Sequence, residues 1–215
     1  MKSEHFRNAL NHKIIPVVAI QKADDAQPLA EALIRGGLPC AEITFRTDAA
    51  ARVIKKIAQR GDIVVGAGTV LKIAQVQQAV DAGATFLVTP GFNPKVVAYC
   101  MEHNIPVAPG VSNPTDIEMA LDFGLDIVKF FPAEAFGGLK TLKAMSAPYA
   151  AMRFIPTGGI GPDNLLGYLK HPKVAACGGS WMVKSELISA GQFERIAELT
   201  REAVSIAARL NVATD

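Results

Sequence analysis

The sequence predicts an α/β fold, a single (β/α)8 barrel with a short helix ahead of it. Three observations carry that prediction. First, short runs rich in Val, Ile and other apolar residues alternate with longer stretches whose apolar residues recur at helical spacing. Second, eight such pairs can be counted, with strands ending at Ile20, Arg46, Thr69, Pro90, Gly110, Phe131, Thr157 and Ser180. Third, these ends are evenly placed, from 20 residues apart (Pro90 to Gly110) to 26 (Ile20 to Arg46). Even spacing of this kind marks repeated βα units. It leaves no gap for a second domain, so residues 1–215 read as one domain. Eight units favour a closed barrel of the TIM type, with an open doubly wound sheet as the alternative.

Residues 3–12 suit the leading helix. Lys13 to Ile20 is the first strand, and Asp24 or Asp25 can cap the helix that carries Leu29, Ala32 and Leu33 and ends at Gly36-Gly37. Pro39 to Phe45 is the second strand, and Asp48 can cap a helix with Val53, Ile54 and Ile57 on one face. Asp62 to Ala67 leads to a helix from Ile73 to Ala82, closed by Gly83. Ala84 to Thr89 leads to one from Pro94 to Glu102. Pro106 to Pro109 is a short strand, followed by a helix opened by Asn113 or Thr115 and closed by Gly124. The strand around Lys129 precedes a helix from about Gly138 to Met145. Met152 to Pro156 precedes one that starts at Pro162, a favoured first-turn position. Val174 to Cys177 is the last strand, and a final helix from Ser185 or Phe193 runs to Leu210.

Composition excludes several classes of function. Half the residues are hydrophobic, and a formal charge of +2 gives no nucleic-acid or anionic-membrane footprint. Cys40, Cys100 and Cys177 are odd in number and far apart, so neither a disulfide framework nor a zinc knuckle is indicated. The four histidines are scattered, which speaks against a metal cluster. No signal-type run and no stretch of ~20 apolar residues occurs, as expected of a cytoplasmic protein that does not enter a membrane.

The unusual residues fall at the strands' C-terminal ends, where barrels of this type place their chemistry. Lys129 lies in the apolar run Ile127-Val128-Lys129-Phe130-Phe131. A lysine in such surroundings tends to lose its proton, and a neutral amine can form a Schiff base with a carbonyl. In the second strand Cys40, Glu42, Thr44 and Arg46 share one parity, opposite Ala41, Ile43 and Phe45. The polar set should face the axis, so Glu42 and Arg46 should converge with Lys129. Glu42 suits general acid–base work and Arg46 a two-pronged grip on a carboxylate; the competing reading is a buried ion-pair network of little stabilising value. Thr69, after Gly66-Ala67-Gly68, offers a hydroxyl. Thr157-Gly158-Gly159 and Gly178-Gly179-Ser180 form two glycine-rich loops after the last two strands, a common place for a phosphate. Pro90-Gly91 and Pro109-Gly110 read as turns, and Trp181 as packing.

Taken together, five runs resemble a known family: Glu42-Ile43-Thr44-Phe45-Arg46-Thr47, Val65-Gly66-Ala67-Gly68-Thr69-Val70, Lys129-Phe130-Phe131-Pro132-Ala133-Glu134, Pro156-Thr157-Gly158-Gly159-Ile160 and Gly178-Gly179-Ser180-Trp181. The chain is similar, from about Ile14 to Ala208, to the 2-keto-3-deoxy-6-phosphogluconate (KDPG) aldolases, class I enzymes that also act as 4-hydroxy-2-oxoglutarate (KHG) aldolases. The resemblance implies Lys129 as the Schiff-base lysine and Glu42 as the general acid–base. It implies Arg46 and Thr69 at the pyruvyl carboxylate, and Gly158, Gly159, Gly179 and Ser180, with Thr157 beside them, around a phosphorylated keto-acid. It further implies a homotrimer and calls for neither metal nor cofactor. A sister family acting on the galactonate epimer differs where this chain has Arg46 and in the lysine motif. The rival readings are a phosphosugar isomerase or synthase, which needs no strand-six lysine, and a non-catalytic phosphosugar-binding module.

Overall fold

Every strand of the chain pairs in parallel with its neighbours, and helices form most of the connections between them. The computed structural model describes residues 2–210; Met1 and the tail beyond Leu210 lie outside the described residues. The elements in chain order are α1 (Lys2–Asn11), β1 (Ile14–Val18), α2 (Ala26–Arg35), β2 (Cys40–Thr44), α3 (Ala50–Ala58), β3 (Val64–Gly68), α4 (Ile73–Asp81), β4 (Leu87–Val88) and α5 (Pro94–Glu102). Then come β5 (Val107–Ala108), β6 (Gly110–Val111), α6 (Pro114–Asp122), β7 (Ile127–Phe130), α7 (Gly138–Ser146), β8 (Arg153–Pro156), α8 (Pro162–Leu169), β9 (Cys177–Gly179), α9 (Ser185–Ser189) and α10 (Phe193–Ala208).

The fold is α/β with parallel sheet. One sheet has six strands in the order β5-β4-β3-β2-β1-β9 and the other has three, β6-β7-β8. Two isolated parallel bridges, Phe154 with Val174 and Thr157 with Gly178, join β8 and the residue after it to the stretch leading through β9. The Pro106–Pro109 strand continues as a second segment, because Pro109 interrupts the ladder between Ala108 and Gly110. All residues of β1, β2 and β7 are buried. Parallel strands with both faces covered are buried along their length in this way.

The helices turn apolar faces inward as their spacing predicts. Val53, Ile54 and Ile57 of α3 are buried, as are Leu29, Ala32 and Leu33 of α2. The leading helix α1 closes the N-terminal ends of the strands. Its Phe6, Ala9 and Leu10 are buried, and the Phe6 ring stacks 5.0 Å from that of Phe86. Burial of one such ring stabilises the fold by about 1.5–3 kcal/mol.

Three local expectations need correction. Asp25 sits at the N-cap of α2 without a side-chain cap bond, and Asp24 instead pairs with Lys56 at 2.6 Å. Ala49, not Asp48, occupies the N-cap of α3. Of the two starts offered for the final helix, Phe193 is the observed one; Ser185–Ser189 is a separate short helix, with Gly191 at φ +66° between them. The last strand is Cys177–Gly179 rather than Val174–Cys177, because its register with β1 pairs Ile14 with Cys177, Ile15 with Gly178 and Pro16 with Gly179. No described helix is long and apolar enough to cross a membrane.

Candidate active site

The alternation of β2 sets the site. Cys40 Sγ donates to the Ile14 carbonyl and Thr44 Oγ1 to the Val18 carbonyl at 2.7 Å, so both polar side chains bind back to the neighbouring strand. Glu42, between them, is 2% exposed, and its Oε1 stands 3.5 Å from Nζ of Lys129, itself 5% exposed. The pair is in ionic contact, yet Oε1 makes no hydrogen bond. A separation of 3.5 Å is long for an N–H···O bond, so the ion pair is real but loosely engaged. Its setting depends on Gly68: a Cβ on that residue would lie 2.1 Å from Glu42 Oε1. β7 is paired on one side to β6 through Gly110 and on the other to β8 through Ile155, which fixes the backbone of Lys129. Its ammonium also lies 4.9 Å from the centre of the Phe131 ring, within range of a cation–π attraction.

Above this pair opens a cavity of about 300 Å³. Lys129 lines it together with Arg46, Thr69, Thr157, Gly158, Gly159, Gly179 and Ser180. Thus every residue singled out from the sequence is in its wall except Glu42, which sits beneath Lys129. Arg46 differs from the expectation of an inward, buried residue. It lies beyond the end of β2 and is exposed, its Nε donating to Thr44 Oγ1 at 3.1 Å. Its terminal nitrogens have no partner among the described residues, which leaves the two-pronged edge of the guanidinium for an anion. Thr69 is held at φ +55°, a left-handed conformation that costs a non-glycine residue roughly 1–3 kcal/mol. Strain of that kind concentrates where a side chain must be aimed.

The two glycine stretches behave differently. Gly158 and Gly159, at φ +97° and +80°, form a true loop. Their amides, and that of Ile160, donate to no acceptor among the described residues. Gly178 and Gly179 belong to β9 itself, so of the second predicted loop only Ser180 lies beyond the strand. The ring of Trp181 lies over Gly179 and packs on the core.

Val17, Thr44, Pro90, Phe131, Ile160 and Gly178 complete the wall; of these, Gly178 was read from the sequence as part of a glycine-rich loop and the others were not picked out as site residues. Apolar residues at strand ends look like core, and Pro90 looks like a turn; only parity beside Lys129 pointed to Phe131. Of three larger hollows, one of about 590 Å³ lies along α10, and two, of about 590 and 520 Å³, lie at the opposite, N-terminal ends of the strands. At those ends His5, Asp62, Asp126 and Arg153 are exposed and His12 is half-buried; Cys100, the buried reactive group in the hollow of about 520 Å³, has its thiol pushed up to about 11 by burial. Among the described residues, no three His, Cys, Asp or Glu side chains gather as a metal ion would require.

An amine against a carboxylate, a guanidinium edge and unbonded amides share one hollow, the set that covalent chemistry on an anionic carbonyl compound needs. The family model for KDPG and KHG aldolases matches residues 7–199. The chain belongs to that aldolase family. A 2-dehydro-3-deoxy-phosphogluconate aldolase of Treponema pallidum (strain Nichols) is 52% identical over 195 residues, which cover 90% of this chain and 93% of that one. The crystal structure of 2-keto-3-deoxy-6-phospho-gluconate aldolase from Zymomonas mobilis superimposes with a TM-score of 0.87 at 40% identity, covering 93% of this chain and 96% of the other. A KDPG aldolase from Legionella pneumophila, solved with pyruvate captured at low pH as a covalent carbinolamine intermediate, gives 0.86 at 38% identity, covering 89% and 93%. Membership carries the reaction class: the chain is a carbon–carbon lyase.

Proposed function

We propose that the protein is a class I aldolase. It cleaves 2-keto-3-deoxy-6-phosphogluconate reversibly to pyruvate and glyceraldehyde 3-phosphate, and 4-hydroxy-2-oxoglutarate to pyruvate and glyoxylate. The observation that carries this reading is the buried Lys129 amine at the base of the cavity, 3.5 Å from the Glu42 carboxylate. Glu42 takes a proton from the ammonium, and the free amine adds to the C2 ketone. Glu42 passes that proton to the carbinolamine hydroxyl, which leaves as water and gives an iminium, an electron sink. Through a water, Glu42 removes the C4 hydroxyl proton. The C3–C4 bond breaks, its electrons pass into the iminium, and the aldehyde leaves behind an enamine of pyruvate. Glu42 returns a proton to the enamine carbon, and hydrolysis frees pyruvate and Lys129. Covalent catalysis thus divides one difficult step into easier ones.

In this reading Arg46 and the Thr69 hydroxyl hold the substrate carboxylate. Thr157, Gly158, Gly159, Gly179 and Ser180 surround its phosphate, whose binding energy orients the bond that breaks. The scaffold we infer is a closed (β/α)8 ring in one domain. β5 and β6 would form a single strand interrupted at Pro109, and the bridges from Phe154 and Thr157 would carry pairing across to β9. A homotrimer in the cytoplasm is the assembly and compartment that accompany this reading.

Borohydride reduction in the presence of pyruvate, followed by mass spectrometry, tests the assignment. An adduct on Lys129 is expected; an adduct on another lysine, or none, would falsify it. Replacing Lys129 with Ala should abolish cleavage of both substrates, whereas retained turnover would favour an isomerase. Replacing Glu42 with Gln should slow turnover by ~10²–10⁴-fold, the usual weight of a general acid–base, while adduct formation suffers less.

A further inference from the structure

All three carbonyls of the Thr157–Gly159 loop are engaged by the protein behind it. Ala133 N–H donates to the Thr157 carbonyl at 2.8 Å, Glu134 N–H to that of Gly158 at 3.1 Å, and Asn164 Nδ2 to that of Gly159 at 3.0 Å. With every carbonyl so drawn off and the amides of Gly158, Gly159 and Ile160 unbonded, the loop offers an anion donors without opposing acceptors. The feature that holds this arrangement lies outside the cavity. Glu134, in the segment after β7, accepts a short hydrogen bond at Oε1 from the hydroxyl of Tyr168 on α8, a residue 1% exposed. Between backbone and carboxylate the Glu134 side chain crosses two glycines. A Cβ on Gly159 would stand 2.6 Å from its Cβ and Cγ, and one on Gly138 would stand 2.8 Å from Oε1. Burial, and then the bond to Glu134, push the Tyr168 phenol up, so it remains a donor at neutral pH.

We infer that Glu134 and Tyr168 are positioning residues for the phosphate-binding loop, a strap from the β7 segment over Gly159 to α8 that keeps the loop amides aimed into the cavity. Neither lines the cavity, so they act on the anion only through the loop. The inference rests on the aldolase reading for the identity of the ligand, but the geometry concerns any phosphate held there.

The test measures the affinity for inorganic phosphate by titration calorimetry, and pyruvate trapping on Lys129, in the parent protein and in Tyr168→Phe, Glu134→Ala and Glu134→Gln. Tyr168→Phe keeps the buried ring and loses only the donor. Loss of a hydrogen bond to a charged group should weaken phosphate binding roughly tenfold in Tyr168→Phe and Glu134→Ala. Glu134→Gln keeps both stem and acceptor and should stay within about threefold of the parent. Pyruvate trapping should be unchanged in all three. Unaltered phosphate affinity in Tyr168→Phe and Glu134→Ala overturns the inference. So does a fall in pyruvate trapping parallel to the loss of phosphate, the sign of a merely structural role. If the parent traps no pyruvate while phosphate binding follows the expected pattern, the aldolase reading fails and the strap stands.

Discussion

Gly68→Ala is the most discriminating substitution in this fold. Gly68 ends β3 opposite Thr44 of β2, and its backbone lies outside the left-handed region, so alanine is compatible with its conformation. On backbone grounds alone the change should stabilise by about 0.4–1 kcal/mol, through the unfolded chain. The new methyl, however, would stand 2.1 Å from Glu42 Oε1 and 2.7 Å from both Cδ and Cγ. The whole carboxyl end of Glu42 must move, and at 2% exposure it has little room to do so. Overpacking of this kind costs about 1–3 kcal/mol, and in a chain of this length each kcal/mol shifts the melting temperature by about 2–4 °C. A fall of roughly 2–12 °C is therefore expected in a calorimetric scan. Displacing Glu42 from Lys129 should also reduce turnover by ~10²–10⁴-fold, with pyruvate trapping less affected. Gly91→Ala is the control, since a Cβ there meets nothing within 4 Å. A Gly68→Ala protein as stable and as active as its parent would show that Glu42 is not confined as described, and the argument for its role would fall with it.

Three further outcomes follow from buried charge and buried thiols. Lys129→Met leaves Glu42 buried without its counter-ion and should cost about 3–5 kcal/mol in urea titrations, whereas Lys129→Met with Glu42→Leu should recover most of that loss and no activity. Equal stability of the single and double variants would mean that the pair is solvated. Burial pushes the Cys100 thiol up to about 11 and that of Cys40 to about 12, with Cys177 raised further. All three should react with a thiol reagent only on unfolding, and a fast-reacting thiol in the native protein contradicts this. Burial lowers His12 and His171, the latter with help from Lys143 and Lys173. Their folded values lie below an unfolded value of about 6.5, so the stability tied to the neutral rings is complete above that pH and lost as pH falls below it. The urea midpoint should drop on acidification from pH 7, and His12→Gln should make the drop shallower; a midpoint independent of His12 contradicts the assignment.

Helices with local punctuation were read closely from sequence. For α5 the predicted Pro94–Glu102 matches the observed span because Asn93 accepts from Lys95 N–H and proline fills the first turn. Asp25 and Asp48 make no side-chain cap bond, and capping at Asp24 was misjudged because a carboxylate near a helix start can go elsewhere. Asp24 finds Lys56, 32 residues away, a partner that no local pattern reveals. The last strand was misplaced because Val174 to Cys177 has the higher strand propensity, while the ladder to β1 falls on Gly178 and Gly179. Glycine has little strand propensity, but the side chains of Thr157 and Trp181 occupy the space where a Cβ would project from these two residues.

The candidate site was legible where charge broke an apolar rule or glycine and hydroxyl residues marked a strand end, and illegible where apolar side chains line it. Strand parity aligned Glu42 with the cavity and with Lys129 because two ionisable groups in buried strands have few alternatives. Arg46 had the same parity, yet its strand ends at Thr44, so the alternation that buries Glu42 no longer constrains it and the guanidinium stays at the rim. Parity therefore predicts direction only as far as the ladder extends. Beyond it, position depends on single hydrogen bonds such as that from Arg46 to Thr44, or from Tyr168 to Glu134 across 34 residues. Such bonds join residues that share no period and no motif. The Lys129–Glu42 pair could be found by periodicity, whereas a pair such as Glu134 and Tyr168 emerges only from three-dimensional contacts.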